Sequence, residues 1–298
     1  MQILKNATIM PLAGTMDKHT GGIFRSPEDF IDDSITCRGI KPEWEPPREM
    51  LEGVFIYGGS LFGHYGHFIW ESLSRLAAVR KCNSAYPILF ISPNEEIYNM
   101  QLMFFKAIGV RNNIKIIKIP TQCENIIYDA PQSSLSPLFI SDEQIRALEY
   151  FNFGENGKDK FKKIWLSRSA LPGDKFRKVV NEVEIEQILR DRGFNIIHPE
   201  KLPLMEQARI VNRADIVAGF DGSQFFSVLF SKDIRGRFLI FNSRPRIART
   251  LPYIFQRKGI EYALNTFKVK DVGNEEWKIS HKYFAEDADK IIDILSEA

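Results

Sequence analysis

Apolar runs and polar breaks alternate along most of the chain, and from residue 53 they settle into a regular rhythm. Short apolar runs predict strands at 53–57, 87–92, 114–119 and 125–128. Longer stretches with helical spacing predict helices at 66–81 and 94–108, the second stopped by Gly109. This βαβαβ order implies a mostly parallel sheet covered by helices. A helix at 142–151 follows. The polar run 154–160 then reads as a linker, which puts a domain boundary after residue 153. Beyond it, strands are predicted at 163–167, 194–198, 215–219 and 237–241. Helices fall at 182–192, with Asn181 as its cap and Ile185, Ile188 and Leu189 as its stripe, and at 204–213 and 222–230. The order βαβαβαβ describes a second Rossmann-like domain, 154–280. In the tail, Phe284, Ala288, Ile291 and Leu295 lie at helical spacing. That helix, within 281–298, either docks on its own domain or crosses back to the first, and the crossing is the expectation carried forward.

Residues 1–50 break the rhythm. Pro11, Gly14, Gly21-Gly22, Pro27, Pro42 and Pro46-Pro47 predict irregular chain, with a short strand near 3–10 and either a loop or a short helix at 24–35. Such a segment can cap a site or simply pack on a surface.

The stretch from Gly58 to Glu71 holds two of the five histidines among four glycines, between a predicted strand and a predicted helix. On a helix drawn from Gly66, the residues Phe68, Ile69, Leu73, Leu76, Ala77 and Val79 share an apolar face, interrupted by Arg80. His67, Glu71, Ser74 and Ala78 fall opposite, on what is ordinarily the solvated side. His67 and Glu71 are four apart and therefore neighbours. A histidine can accept a proton near neutral pH, and a carboxylate beside it can orient the ring and stabilise the imidazolium. His64, in the loop, is the local competitor for that role.

Composition narrows the classes. At 298 residues the chain has room for two domains, and 44% hydrophobic residues provide a sizeable core. A net charge of +2 gives no reason to expect nucleic-acid binding. Three scattered cysteines without a CxxC argue against a disulfide framework or a zinc site and fit a reducing compartment. The amino terminus carries no signal-peptide pattern and no run reaches the ~20 apolar residues of a membrane span, so the expectation is a cytoplasmic protein.

Two facing Rossmann-like domains would form a cleft, a preferred ligand site. In the second domain, Asp221-Gly222-Ser223 opens a helix whose first N–H groups can face a phosphate. The neighbouring basic loop 168–177 adds Arg168 and Arg177, whose guanidinium forks match phosphate oxygens. Each loop alone has a bland reading, as solvated or ordinary α/β chain. Together they point to a bound diphosphate. There is no GxGxxG, no Walker A sequence and no acidic pair placed to hold a divalent metal.

The stretch Gly63-His64-Tyr65-Gly66-His67-Phe68-Ile69-Trp70-Glu71, continuing to Arg75-Leu76, resembles the signature of glycosyltransferase family 61. So do Trp165-Leu166-Ser167-Arg168 followed by Arg177 and Asn181-Glu182-x-Glu184. So do Gly193-Phe194, Pro199-Glu200, Gln207 and the loop at 219–223. The resemblance covers about residues 53–245. It implies a GT-B fold of two Rossmann-like domains and an inverting transfer from a nucleotide-sugar donor, without metal or other cofactor. It implies a glycan acceptor, lipid-linked or free, and a role in capsule or surface polysaccharide synthesis. His67 would be the base and Glu71 its orienting partner. Arg168, Arg177, Asn181, Gly222 and Ser223 would line the donor site, with Glu200 on a ribose or sugar hydroxyl or, equally, capping the next helix. One departure stands out: the family's usual His-Gly is Asp221-Gly222 here, and an Asp beside a phosphate needs a hydroxyl or an arginine to face. Two rival readings share the sequence: a pyruvyl transferase-like enzyme acting on polysaccharide, and a non-catalytic nucleotide- or glycan-binding protein.

Overall fold

The structure is a computed structural model. It describes the chain except residues 16, 37, 95, 152–160, 172–177, 243–248, 267, 272–281, 287 and 298. The expected linker at 154–160 therefore lies outside the described residues. The chain divides into two compact units, Met1–Tyr150 and Phe151–Ala298.

The first unit is built on one mixed sheet. Strands β1 (Gln2–Gly14), β2 (His19–Ser26), β3 (Asp29–Ile31), β4 (Gly39–Ile40), β5 (Glu49–Ser60), β6 (Ile88–Ile91), β7 (Ile114–Ile117) and β8 (Thr121–Tyr128) lie in the order β3-β2-β1-β8-β5-β6-β7, with β4 beside β2. The parallel block β8-β5-β6-β7 is the one the sequence pattern predicts. Residues 1–50, expected to be irregular, instead extend it with antiparallel strands. The breakers that disguise them mark irregularities within strands. The β1–β2 register shifts between Met10 and Ala13, around Pro11. A Cβ on Gly21 would lie 3.1 Å from the Pro11 carbonyl oxygen, so β2 crosses β1 closely there. Leu4, Ala7, Ile9 and Ile23 from this ribbon join Tyr57, Leu89, Ile91 and Ile126 in one core.

The helix expected over 66–81 is broken into α1 (Tyr65–His67), a turn of π-helix (Phe68–Ser72) and α2 (Leu76–Lys81). Its face opposite the apolar stripe is not solvated: Glu71, Ser74 and Ala78 are all buried. Backbone groups displaced by the break find other partners. Gln144 Nε2 donates to the Leu73 carbonyl, Ser133 Oγ to the Trp70 carbonyl, and the Gln132 N–H to the Ser74 carbonyl. The remaining elements of this unit are α3 (Asn99–Ala107), the hairpin β9 (Ser133–Leu135) with β10 (Leu138–Ile140), and α4 (Asp142–Leu148), capped by Ser141 Oγ accepting from the Gln144 N–H.

Arg75 sits at the break and is 4% exposed. Its guanidinium donates to the Asp129 and Asp33 carbonyls and lies over the rings of Tyr57 and Tyr128. Gly59 leaves the space it occupies: a Cβ there would fall 2.5 Å from Nη1. One side chain thus joins the helix break to the N-terminal ribbon and to the end of β8.

The second unit has a five-stranded parallel sheet. Its strands are β11 (Phe161–Leu166), β13 (Asn195–Ile197), β14 (Ala214–Phe220), β15 (Arg237–Asn242) and β16 (Tyr262–Thr266), ordered β13-β11-β14-β15-β16. Counted within the unit this is 2-1-3-4-5, a doubly wound order whose switch point lies between β11 and β14. The connecting helices are α5 (Glu182–Asp191), α6 (Leu204–Arg213), a 3₁₀ helix at Ser223–Phe230, and α7 (Thr250–Lys258). A small sheet orders β12 (Lys178–Val179), β18 (Lys282–Ala285) and β17 (Val269–Asp271) as β12-β18-β17.

The tail helix α8 (Ala288–Ser296) corrects the expected crossing. Its Ile291 and Leu295 fill the core of this same unit beside Ile185 and Leu189 of α5, and Arg192 donates to the Ile292 carbonyl. Phe284 lies in β18 instead of on this helix.

Arg75→Lys keeps the charge but cannot reproduce a forked guanidinium bonded to two carbonyls. We expect it to lower the stability of the first unit by about 1–3 kcal/mol, read as a lower urea midpoint. An unchanged midpoint would contradict the tie described here.

Candidate active site

In the first unit, α1 and the π-turn hold His67 and Glu71 against each other. His67 Nδ1 is bonded to Glu71 Oε2. The carboxylate side chain is 4% exposed and the histidine 14%. Nδ1–H donates to the carboxylate, which leaves Nε2 as the acceptor; Nε2 has no hydrogen-bond partner among the described residues. The ring is held on its other sides by edge contacts with Phe62 at 6.3 Å and His64 at 5.2 Å between centroids. His64 itself is exposed. Phe62 is in turn edge-on to the buried His19 of β2 at 5.4 Å, so the N-terminal ribbon backs His67. Gly63 leaves room for Tyr98, since a Cβ there would fall 2.5 Å from that ring.

In the second unit, the two loops singled out in the sequence meet at the carboxyl edge of the sheet, on either side of the switch point. Arg168 follows β11, and Asp221-Gly222-Ser223 follows β14. A Cβ on Gly222 would lie 2.1 Å from Arg168 Nη1, and Nη1 is 3.4 Å from Gln224 Oε1. Gly222 therefore makes space for the arginine. Ser223, half-buried, is the first residue of the 3₁₀ helix. Asp221 is 3% exposed and donates its N–H to the Phe241 carbonyl.

Glu200 lies after β13 in a short 3₁₀ turn, its Oε1 3.9 Å from His198 Nδ1. His198 Nδ1 and Asn265 Nδ2, near the carboxyl ends of β13 and β16, are buried nitrogens without a hydrogen-bond partner among the described residues. Polar atoms left so at a strand edge suit a polar ligand.

One expected donor residue, Asn181, is not brought to this edge. Asn181 occupies the cap position of α5 without capping it. Its amide instead bonds both the N–H and the C=O of Ala285, each at 3.0 Å, as a strand neighbour would. Arg177 lies outside the described residues.

Sequence reasoning gave no role to the residues beneath Arg168, although Glu182 stands in the Asn181-Glu182-x-Glu184 run. The buried face of α5 is Glu182, Ile185, Glu186 and Leu189, whereas Ile188, expected in its stripe, is 38% exposed. Glu182 Oε1 accepts from Trp165 Nε1 at 3.0 Å and from the Arg168 N–H at 3.2 Å. Glu186 Oε1 accepts from Ser167 Oγ at 2.6 Å, and Ser167 Oγ accepts from the Ser169 N–H at 3.0 Å. The available signal was the polar interruption of an otherwise apolar face at helical spacing. Burial pushes the Glu182 carboxyl up from 4.5 to about 7; the Arg168 N–H and the indole restrain it, and Glu186 adds to it.

A histidine held by a buried carboxylate, and a doubly wound sheet whose switch point carries an arginine, suit group-transfer chemistry. A family model described as Glycosyltransferase 61 matches residues 65–236, more than half of the chain, and that span contains the His67–Glu71 pair and the switch point with Arg168. The chain belongs to glycosyltransferase family 61. Membership makes it a glycosyltransferase and implies a nucleotide-sugar donor and a glycan acceptor. No curated protein matches the sequence. Among the described residues, no helix is long and apolar enough to cross a membrane, and no three His, Cys, Asp or Glu side chains cluster as metal ligands.

The raised Glu182 value has a signed consequence. Between pH 4.5 and about 7 the folded chain keeps a proton that the unfolded chain has released. Stability therefore falls as pH rises through that window, by up to about 3 kcal/mol, and is flat above it. Glu182→Gln is neutral throughout. Its melting temperature should exceed that of the parent at pH 8, and the gain should shrink towards pH 5. A difference that does not change with pH would contradict the assignment.

Proposed function

We propose that the enzyme is an inverting, metal-independent glycosyltransferase of the GT-B type, with His67 as general base and the donor bound at the carboxyl edge of the second unit. The observation that carries the reading is the His67–Glu71 pair: a ring fixed through Nδ1, with Nε2 left to accept a proton.

In this reading, Nε2 removes the proton of the acceptor hydroxyl as its oxygen attacks the anomeric carbon. The bond to the diphosphate oxygen breaks on the opposite face, and the nucleoside diphosphate leaves with the electron pair. Configuration inverts because entering and leaving groups occupy opposite faces. Glu71 offsets the imidazolium charge. Arg168 binds the diphosphate, and its fixed charge stabilises the leaving group in the role a metal ion serves elsewhere. Arg177 is its proposed companion. Ser223 is proposed to donate to the phosphates, and Glu200 to accept from a ribose or sugar hydroxyl. Asp221 is assigned to a hydroxyl too, since a carboxylate beside a phosphate is repelled. Asn181 has no donor role in this reading, because Ala285 occupies both ends of its amide. The biological setting proposed is capsule or surface polysaccharide synthesis in the cytoplasm, on a free or lipid-linked acceptor.

The test is transfer and donor hydrolysis measured against a panel of nucleotide sugars, with phosphoenolpyruvate as the rival donor and EDTA added to parallel reactions. Activity with a nucleotide sugar that survives EDTA is expected. With that donor, His67→Ala should lower kcat by about 10²–10⁴-fold with little change in nucleotide affinity. Glu71→Gln should fall between His67→Ala and the parent, and His64→Ala should do less. Near-parental turnover in His67→Ala would move the base elsewhere, and turnover with phosphoenolpyruvate alone would overturn the reading.

A further inference from the structure

The turn that carries Arg168 rests on two buried carboxylates. Glu182 and Glu186 lie one helical turn apart on α5, 1% and 2% exposed, and between them they take the Arg168 N–H, the Trp165 indole and the Ser167 hydroxyl. Glu186 has a cation of its own, Arg190, at 3.2 Å. Among the described residues Glu182 has none in an ion pair, and its Oε2 is a buried atom with no hydrogen-bond partner. Among the described residues, Arg168 and Glu186 are the charged groups that bear on it. Across Asn181, β18 presents the Ala285 backbone.

We propose that Glu182 is the positioning residue that sets Arg168 for a diphosphate-bearing donor, and that it takes up one proton from solvent as the donor binds. The proposal rests on the donor reading above. Its physical basis is the shared location. Oε1 fixes the backbone of the residue whose guanidinium meets the phosphates, so the phosphates arrive close to a carboxylate already short of solvation. Added negative charge favours its neutral form. Once protonated, Glu182 still accepts both hydrogen bonds through Oε1, so the turn stays in place. The proton sits on Oε2, the atom that had no partner. Burial already holds this carboxyl near neutrality, where a modest added field suffices.

Calorimetric titration with UDP, CDP and GDP, in buffers of different ionisation enthalpy at pH 7.5, tests this. The nucleotide that binds should show a heat that depends on the buffer, signalling proton uptake, and its affinity should fall about tenfold from pH 6.5 to 8.5. Ionisation of the nucleotide's own phosphate is common to all variants and cancels between them. Glu182→Gln should bind with the uptake removed and the slope flattened. Glu186→Gln, which keeps Glu182 but removes the neighbouring charge, should move the uptake to lower pH. Arg168→Ala should lose at least about tenfold in affinity. If no nucleotide binds, or Arg168→Ala binds as the parent does, the donor reading fails and this proposal with it. If Arg168→Ala loses binding while Glu182→Gln keeps the parental uptake, or Glu186→Gln leaves the uptake window unmoved, the role of Glu182 alone is overturned.

Discussion

Glu71 is a carboxylate almost out of contact with water, and its side-chain partner among the described residues is one histidine. A buried carboxyl group without a partner is costly, so the His67 ring supports the local structure as well as being the candidate base. The surroundings follow from keeping that pair in place. A π-turn carries Glu71 inward while leaving it in register with His67, and such turns recur at functional sites because they re-aim one side chain inside a helix. The carbonyls the turn displaces are met by Gln144, Ser133 and Gln132, from the segment after β8. Arg75 then pins the end of the break to the N-terminal ribbon. Remote parts of the first unit thus converge on one short stretch.

The second unit solves a different problem: how to hold a cation where parallel strands end. The doubly wound order opens a crevice between β11 and β14, and Arg168 lies against Gly222 there because only a residue without a side chain leaves space. Support comes from below, through the acidic face of α5. Burial raises the cost of ionising Glu182 there, against the restraining pull of Arg168, and in the proposal above that cost is what an arriving anion adds to.

The legible part of the sequence was its regular part. The parallel strands of the first unit, those of the second except β16, which no pattern singled out, and the helix Leu204–Arg213 follow from apolar spacing, and the His67–Glu71 contact follows from a separation of four residues. The hidden parts share a cause, which is that local signals were used for tertiary purposes. Pro11, Gly21 and Gly22 look like loop punctuation but sit within paired strands. Ser74 and Glu71 look like a wet face but are buried by chain far away in sequence. Asn181 looks like a cap and acts as a strand edge. Glu182 and Glu186 interrupt a stripe and are nonetheless its buried part. The tail helix shows the limit of periodicity: an apolar face predicts that a helix docks, and only the core of the second unit identifies where.

The central claim is that Glu71 fixes His67 with its proton on Nδ1 and its lone pair on Nε2. Long-range ¹H–¹⁵N correlation of the histidine rings, with His67→Gln used to assign its signals, reads this tautomer directly. The account predicts a protonated Nδ1 and a bare Nε2 for His67 at a pH where the ring is neutral, with the preference weakened in Glu71→Gln. A ring protonated on Nε2, or a tautomer mixture indifferent to Glu71, would contradict it.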